Sequence, residues 1–315
     1  MVVSALVIWL SLTVDRLFGD PPNFLHPVAY LGRFISWWGR PELYPPSLQR
    51  TAGVLFTIIT AVLFALPFWL SESYAPLILI IIAGPFLLKI CLSWRCLEEH
   101  VESVITALGS GTEEGQKSVR MLVSRDTSLL GDEEVLSAAY ESMAENLVDS
   151  IISPLFFFTF FGFAGAAFFR AVNTMDAMLG YRDERLRLGW FPARLDDLLN
   201  YIPARLAGLI LLLYFAAKGR FSPAWKVFCS DRKRRPGFNG GIPMSVIAGG
   251  TGIRFTKPGS YEIGEGEHSL KDSGHLIVAA VRAATVLSAL LFTLIIFCIW
   301  WSGPGSSLMI FLPAL

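Results

Sequence analysis

Charge is scarce in this chain, and neither sign dominates. Only 17% of its 315 residues are Asp, Glu, Lys or Arg, where soluble domains carry about 25%. Lys+Arg and Asp+Glu balance at 26 each. That balance leaves no basic footprint for nucleic acid, which is excluded as a partner. Cysteine is also rare. Cys91, Cys96, Cys229 and Cys298 are scattered, with no C-x-x-C pair and no Cys/His cluster. Neither a disulfide framework nor a zinc site is indicated; the four read as small apolar filler. Neither GxxxxGK[ST] nor GxGxxG occurs, so the glycine-rich AGGTGIRF (248–255) reads as a tight turn rather than a phosphate loop. Coiled-coil heptads, low-complexity tracts and long linkers are missing, and a single domain over residues 1–315 is expected. The N-terminus has no basic leader and no small-residue cleavage site, so it reads as a retained segment.

What is plentiful is apolar surface. Hydrophobic residues make up 53% of the chain, and the mean hydropathy is +0.53. Membrane spans need about 20 largely apolar residues. Residues 52–70, 151–169 and 283–301 meet this, and 75–92 follows closely with Lys89 snorkelling from its end. Residues 2–18 carry Asp15 and Arg16. Residues 207–217 need 198–204 to reach membrane length. The expected fold is an all-α, polytopic integral membrane bundle with about five or six membrane segments, some broken or re-entrant. A soluble helical insertion is expected at about 95–150 and a basic loop at about 218–282. The basic loops point to the cytoplasmic side of a multi-pass cell-membrane protein.

Polar chemistry concentrates between residues 141 and 205. Glu141, Glu145 and Asp149 stand at i, i+4 and i+8 on one face of a helix expected to start at an Asp132 cap, with Pro154 kinking it. Three acids in line repel one another unless something cationic faces them. A solvated face is the alternative, but it would have to stay wet as the helix enters the bilayer. Past the apolar run, Asn173, Asp176 and Gly180 share a face, and Arg182, Arg185 and Arg187 follow. Asp196 and Asn200 pair at i, i+4, and Arg194 reaches Asp197. Arg194 and Arg205 are eleven residues apart, about three helical turns, and project alike if Pro203 only kinks the helix. Structural salt bridges are the alternative here. Before the second segment, DRLFGDPPNFLHPVAYLGR (15–33) is a structured loop holding Asp20 and His26. Asp20 reads as a turn residue and His26 as a hydrogen-bonded loop histidine or a site residue.

These motifs taken together resemble a known family. LFGDPPNFLHPV, SRDTSLL, ESMAENLVDSIISPLFF, FRAVNTMDAMLGYR, ARLDDLLNYIPARL and RPGFNGG are similar, in order and over about 15–266, to the CobD/CbiB family of cobamide biosynthesis. RPGFNGG departs from the SPNAG-like turn of many members, and Asn239 is the residue carried over there. The resemblance implies an adenosylcobinamide-phosphate synthase, a ligase that joins adenosylcobyric acid, a corrinoid, to an amino-alcohol phosphate. It implies ATP and Mg²⁺ as cofactors and other cobamide-pathway enzymes as neighbours in the bilayer. Magnesium takes oxygen ligands. Glu141, Glu145, Asp149, Asp176, Asp196 and Asp197 form the ligand pool, the first four also being catalytic candidates. Arg182, Arg194 and Arg205 are expected on phosphate oxygens. Asn146, Asn173, Asn200 and Asn239 are expected to orient substrate, and His26 or Glu145 to serve as base. A transporter with a midplane polar site and a noncatalytic AmpE-like membrane regulator are the rival readings.

One conflict stands within this reading. If 151–169 crosses the bilayer straight, the acids at 141–149 and the motif at 173–205 lie on opposite faces. Two arrangements resolve it: a re-entrant segment turning near Gly162 and Gly165, or segments after Phe169 that fold back into the protein interior.

Overall fold

A computed structural model describes residues 2–302. The elements are helical apart from one small hairpin. In chain order they are α1 (Val2–Phe18), α2 (Pro27–Trp38), α3 (Gln49–Tyr74), α4 (Leu77–Lys89), α5 (Trp94–Ser110), α6 (Thr112–Val119), α7 (Asp132–Leu147), α8 (Ser153–Leu179), α9 (Trp190–Leu199), α10 (Tyr201–Ala217), α11 (Phe221–Asp231), α12 (Gly241–Thr251), β1 (Phe255–Lys257), β2 (Tyr261–Ile263) and α13 (Leu270–Trp301). Among the described residues four helices are long and apolar enough to cross a membrane, or five if the bent pair α9–α10 counts as one span. The protein is a polytopic helical membrane protein. Its exposed leucines, isoleucines and tryptophans, such as Leu63, Ile78, Leu213 and Trp300, are the surface a bilayer solvates.

The described residues gather into two compact units. One holds residues 2–93, 153–200 and 289–302; the other holds 94–152 and 201–288. The chain passes between them four times, so no composition break marks the division.

In the first unit, α2, α3 and α8 share a core. Leu31, Ile35 and Trp38 pack with Ala61, Ala171, Val172, Met175 and Leu179. The Trp38 and Phe56 rings stack at 5.4 Å. α1 is tied to the last part of α13 by Trp9 Nε1, which donates to Thr293 Oγ1 at 3.2 Å.

The element that organises this unit is α8. Gly162 sits inside it at φ 65°, ψ −160°, a conformation essentially confined to glycine. Beyond the break the chain doubles back. Phe157 and Phe169 stack face to face with ring centroids 5.2 Å apart. In a straight helix twelve residues rise about 18 Å, too far for two phenylalanine rings to meet. α8 is therefore a helical hairpin with arms 153–161 and 163–179, whose outer ends lie on the same side of the turn. The chain turns at Gly162, one of the two glycines where a turn is expected from the sequence.

In the second unit, α5, α6 and α7 pack together, as do α10, α11 and α12. α12 is buried along its whole length. Its small residues permit this: a Cβ at Gly250 would sit 2.5 Å from the Phe215 ring. The AGGTGIRF stretch is thus the end of a buried helix, closed by Gly252 at φ 78°, and then β1 rather than a simple turn. β1 and β2 pair antiparallel, Phe255 with Ile263. α6 ends at Val119, and the chain from there to Leu130 runs as turns and bends. α7 is capped by Glu134, whose carboxylate accepts the Gly131 N–H at 2.9 Å, while Asp132 is the first helical residue. Pro154 acts as a π-turn at 148–152 rather than as a simple kink. A proline cannot donate to the carbonyl one turn back, and the wider turn makes room for it.

Candidate functional site

Two groups of polar side chains hold the residues expected from the sequence, one in each unit. In the second unit the acids of α7 do meet cations. Glu141 is 5% exposed. Its Oε1 accepts from Ser137 Oγ at 2.7 Å and Arg125 Nη2 at 3.2 Å, and its Oε2 from the Tyr261 hydroxyl at 2.6 Å. Ser137 Oγ in turn accepts the Thr256 N–H at 2.7 Å. Glu141 therefore clamps the β-hairpin and the loop after α6 onto α7. Burial, followed by the charge of Glu141 and the bond to it, pushes the Tyr261 phenol pKa up. Glu145 pairs with Arg235, and Arg235 also feels the charge of Asp149. Arg235 comes from the basic run 232–235. Gly240 lies against its guanidinium, where a Cβ would come within 2.7 Å.

The amides and arginines of this unit are engaged locally. Asn146 donates to the Ser142 carbonyl at 2.9 Å. Arg205 donates to Asn239 Oδ1 at 2.9 Å and to the Tyr201 carbonyl at 2.8 Å, and it stacks 3.4 Å above the Tyr201 ring. Its donors hold the RPGFNGG turn. Arg205 and Asn239, both expected at the substrate, are thus partners of one another.

In the first unit the centre is Asp196, 8% exposed. Asn173 Nδ2 donates to its Oδ1 at 3.2 Å, and Asn200 Nδ2 to its Oδ2 at 2.9 Å. Asn200, 2% exposed, accepts from Ser153 Oγ at 2.5 Å. Asn173 accepts from Arg170 Nη1 at 3.3 Å, and Arg170 is anchored on the Cys91 carbonyl. Ser153 and Asn173 come from opposite arms of the α8 hairpin. The fold in α8 is what lets both reach α9. Asp176 and Asp197 add negative charge beside Asp196. Arg194 is 60% exposed on its side chain, with Asp197 4.0 Å away. Arg182 is exposed in the loop after α8, while Arg185 closes that loop onto Asp183 and the Met178 carbonyl. Arg194 and Arg205 do not continue one face, because the chain bends by 42° between α9 and α10.

A third cluster lies at the ends of α1 and α4. Lys89, 4% exposed, does not snorkel. It pairs with Asp15 at 3.0 Å and with Asp20. His26 accepts the Val28 N–H on Nδ1 at 3.2 Å, capping α2, and its Nε2 lies 3.8 Å from Asp20. With one ring nitrogen spent on the cap and the other facing a carboxylate, His26 is placed as a structural residue rather than a base. Burial opposes ionisation of Asp20, but the hydrogen bonds and charges of His26 and Lys89 outweigh it and hold the carboxyl well below the usual range.

Among the described residues no three His, Cys, Asp or Glu side chains gather as a metal site. The expected pool of six divides three and three between the units. Arg125, Ser137 and Tyr261 occupy Glu141, and Arg235 occupies Glu145. Asp176, Asp196 and Asp197 do not gather as a three-ligand site, but Asp196 with one neighbouring carboxylate is the kind of oxygen donor that suits Mg²⁺, an ion that usually binds one or two carboxylates together with substrate phosphates and water. The residues that sequence reasoning passed over are Arg125, Arg235, Tyr261 and Lys89. The signal for two of them was the acidic stripe itself, which required cations opposite it.

The family model described as CobD/Cbib protein matches residues 8–300. A protein of Methanothermobacter thermautotrophicus named probable cobalamin biosynthesis protein CobD is 39% identical over 295 residues, covering 91% of this chain and 95% of its own. A protein of the same name from Thermococcus kodakarensis is 42% identical over 254 residues, covering 80% and 82%. The cobalamin biosynthesis protein CobD of Dehalococcoides mccartyi is 38% identical over 271 residues, covering 82% and 86%. No solved structure matches the chain. The chain belongs to the CobD/CbiB family of cobalamin biosynthesis proteins.

Proposed function

We propose that this protein is an adenosylcobinamide-phosphate synthase of the cell membrane. It would ligate adenosylcobyric acid to (R)-1-amino-2-propanol O-phosphate or ethanolamine phosphate, with consumption of ATP. The observation that carries the reading is family membership over nearly the whole chain. The buried Asp196 group, placed by a folded-back helix, adds support because a plain membrane anchor has no use for it.

The chemistry needs two steps. A carboxylate does not condense with an amine in neutral water. A carboxylate oxygen of the corrinoid attacks the γ-phosphorus of ATP, the bond to the β-phosphate oxygen breaks, and an acyl phosphate and ADP result. The amine then attacks the acyl carbon, the C–O bond to phosphate breaks, and inorganic phosphate leaves with the amide formed. The attacking ammonium must first lose a proton.

Phosphoryl transfer depends mainly on positioning and charge neutralisation. Mg²⁺, when bound, supplies that neutralisation on the phosphates, and Asp196 with one neighbouring carboxylate, Asp176 or Asp197, would hold it. Asn173 and Asn200 fix the Asp196 carboxylate with one amide donor on each oxygen. They act on the carboxylate rather than on substrate. Arg194, exposed and weakly paired, is the arginine free to grip a phosphate. Glu145, paired with Arg235, and Asp149 remain candidates for recognition of a cationic group.

The test is ligation by purified protein in detergent, read as amide product formed with ADP released in equal amount. Stoichiometric product supports the synthase. Corrinoid or amino-alcohol uptake into vesicles without ligation would assign the polar groups to transport instead.

A further inference from the structure

We propose that Glu72 is a positioning residue that locks the tip of the α8 hairpin, and so sets Ser153 and Asn173 against the Asp196–Asn200 pair. Glu72 lies near the C-terminal end of α3 and is 7% exposed. It is a buried acid in an apolar helix, and no cation faces it in an ion pair among the described residues. Its carboxylate instead lies against the backbone N–H groups of Phe163 and Ala164. These are the first residues of the second arm, whose N–H groups have no partner within that arm because Gly162 breaks the ladder. A carboxylate at that point meets both the unmatched donors and the positive end of the helix dipole.

Gly162 fits the same contact. A Cβ there would fall 2.1 Å from Glu72 Oε1 and 2.4 Å from Oε2. The glycine is thus required twice, by its positive φ and by the approach of Glu72. Oε1, the oxygen nearer the tip, accepts no hydrogen bond from side chain or backbone, so its contact with the tip is a close approach favoured by the helix dipole. Further along, Ala61 of α3 packs on Ala171, Val172 and Met175 of the second arm. α3 therefore runs beside that arm, with Glu72 at its tip.

Counting from the turn explains the consequence. Phe157 and Phe169 are level across the hairpin, and Ser153 and Asn173 stand four residues further out on each arm. Each is one turn past the stacked rings and on the same arm face, which places both at α9. If the tip opens, the arms splay and the two side chains no longer reach Asp196 and Asn200 together.

The positioning role rests on the proposed function, but the lock is tested without it. Phe157→Cys and Phe169→Cys are introduced together, with the three cysteines that are not buried, Cys96, Cys229 and Cys298, replaced by serine. Oxidation should close an intramolecular disulfide, which a straight helix forbids. Removal of a helix cap shifts its equilibrium by about tenfold, so Glu72→Ala should slow this closure by about that factor. Glu72→Gln, which keeps a carbonyl oxygen at the tip, should stay close to the parent. A control pair at Trp38 and Phe56 should close at the same rate in all three. If both pairs fail in Glu72→Ala, the Gln variant decides: closure at the parent rate upholds the lock, and failure there overturns it. Unchanged closure in Glu72→Ala also overturns it. For the positioning role, oxidised Glu72→Ala with the 157–169 disulfide should regain most of the ligation that the reduced variant loses. No regain means that Glu72 does not act through the hairpin. If no variant ligates at all, the proposed function fails while the cross-linking result stands.

Discussion

At the scale of single residues, the structure separates carboxylates that hold the protein together from those left for chemistry. Glu141 accepts three hydrogen bonds and pairs with a largely buried Arg125, whose Nε and Nη1 have no other partner. Removing one member of a buried pair strands the other, at a cost of about 3–5 kcal/mol. Glu141→Ala should lower thermal stability in detergent by that order, and Glu141→Leu with Arg125→Met should recover much of it. Equal destabilisation by the single and double variants would show that the pair is not the cause. Asp196 is different. Its partners are neutral amides that orient it without cancelling its charge. Asp196→Asn should keep the fold and lower ligation by about 100-fold or more, the usual loss when one preorganised electrostatic contact is removed. Near-parent turnover would place the chemistry elsewhere. Asp20 gives a pH dependence. Its folded pKa is depressed, so its contribution is present above the unfolded carboxylate value and is lost as pH falls through the folded one. The stability gap between the parent and Asp20→Asn, read by thermal unfolding, should be constant at neutral pH and shrink below about pH 4. A gap that widens in acid would contradict the assigned partners.

At the scale of elements, the informative features are breaks. Gly162 folds α8, the π-turn precedes Pro154, and α9 and α10 meet at a 42° bend. Part of this was legible in the sequence. Glycines within an apolar run, and an apolar run too short for its place, both pointed to a nonstandard path. The acidic stripe on α7 was legible by spacing alone. Its cations were not, because Arg125 and Tyr261 lie in a loop and a small hairpin whose docking depends on tertiary contact. Lys89 was misread for a related reason. A lysine at the end of an apolar helix normally snorkels, and only the fold of the 19–26 loop brings Asp20 to it. Arg205 shows the same limit. Helical phase suggested that Arg205 and Arg194 project alike, but the donors of Arg205 close the RPGFNGG turn. Arg205→Lys keeps charge and loses the forked geometry. It should lower stability by about 1–2 kcal/mol and leave KM for ATP and the aminoalkyl phosphate unchanged. A raised KM with unchanged stability would return Arg205 to the phosphate.

At the scale of the whole molecule, the hairpin decides how the chain is threaded through the bilayer. Counted as rods, residues Asp132–Leu179 are one span, and the loop with Arg182, Arg185 and Arg187 emerges opposite Ser153. Folded at Gly162, the second arm returns, and that loop lies on the face where the first arm began. Positive residues favour the cytoplasmic face, and the arginines of this loop satisfy that rule together with the start of the first arm under the folded path. The folded path therefore removes a conflict that a straight helix creates, and it leaves ATP on the side where cells supply it. Single cysteines at Arg182 and at Lys233, in a background without other reactive cysteines, should resist a membrane-impermeant maleimide in intact cells and react after permeabilisation. Labelling of Arg182→Cys in intact cells would mean that the second arm does not return, and the hairpin would have to be abandoned with it. A result in which Lys233→Cys alone reacts outside would leave the hairpin standing and reverse the orientation of the basic loop.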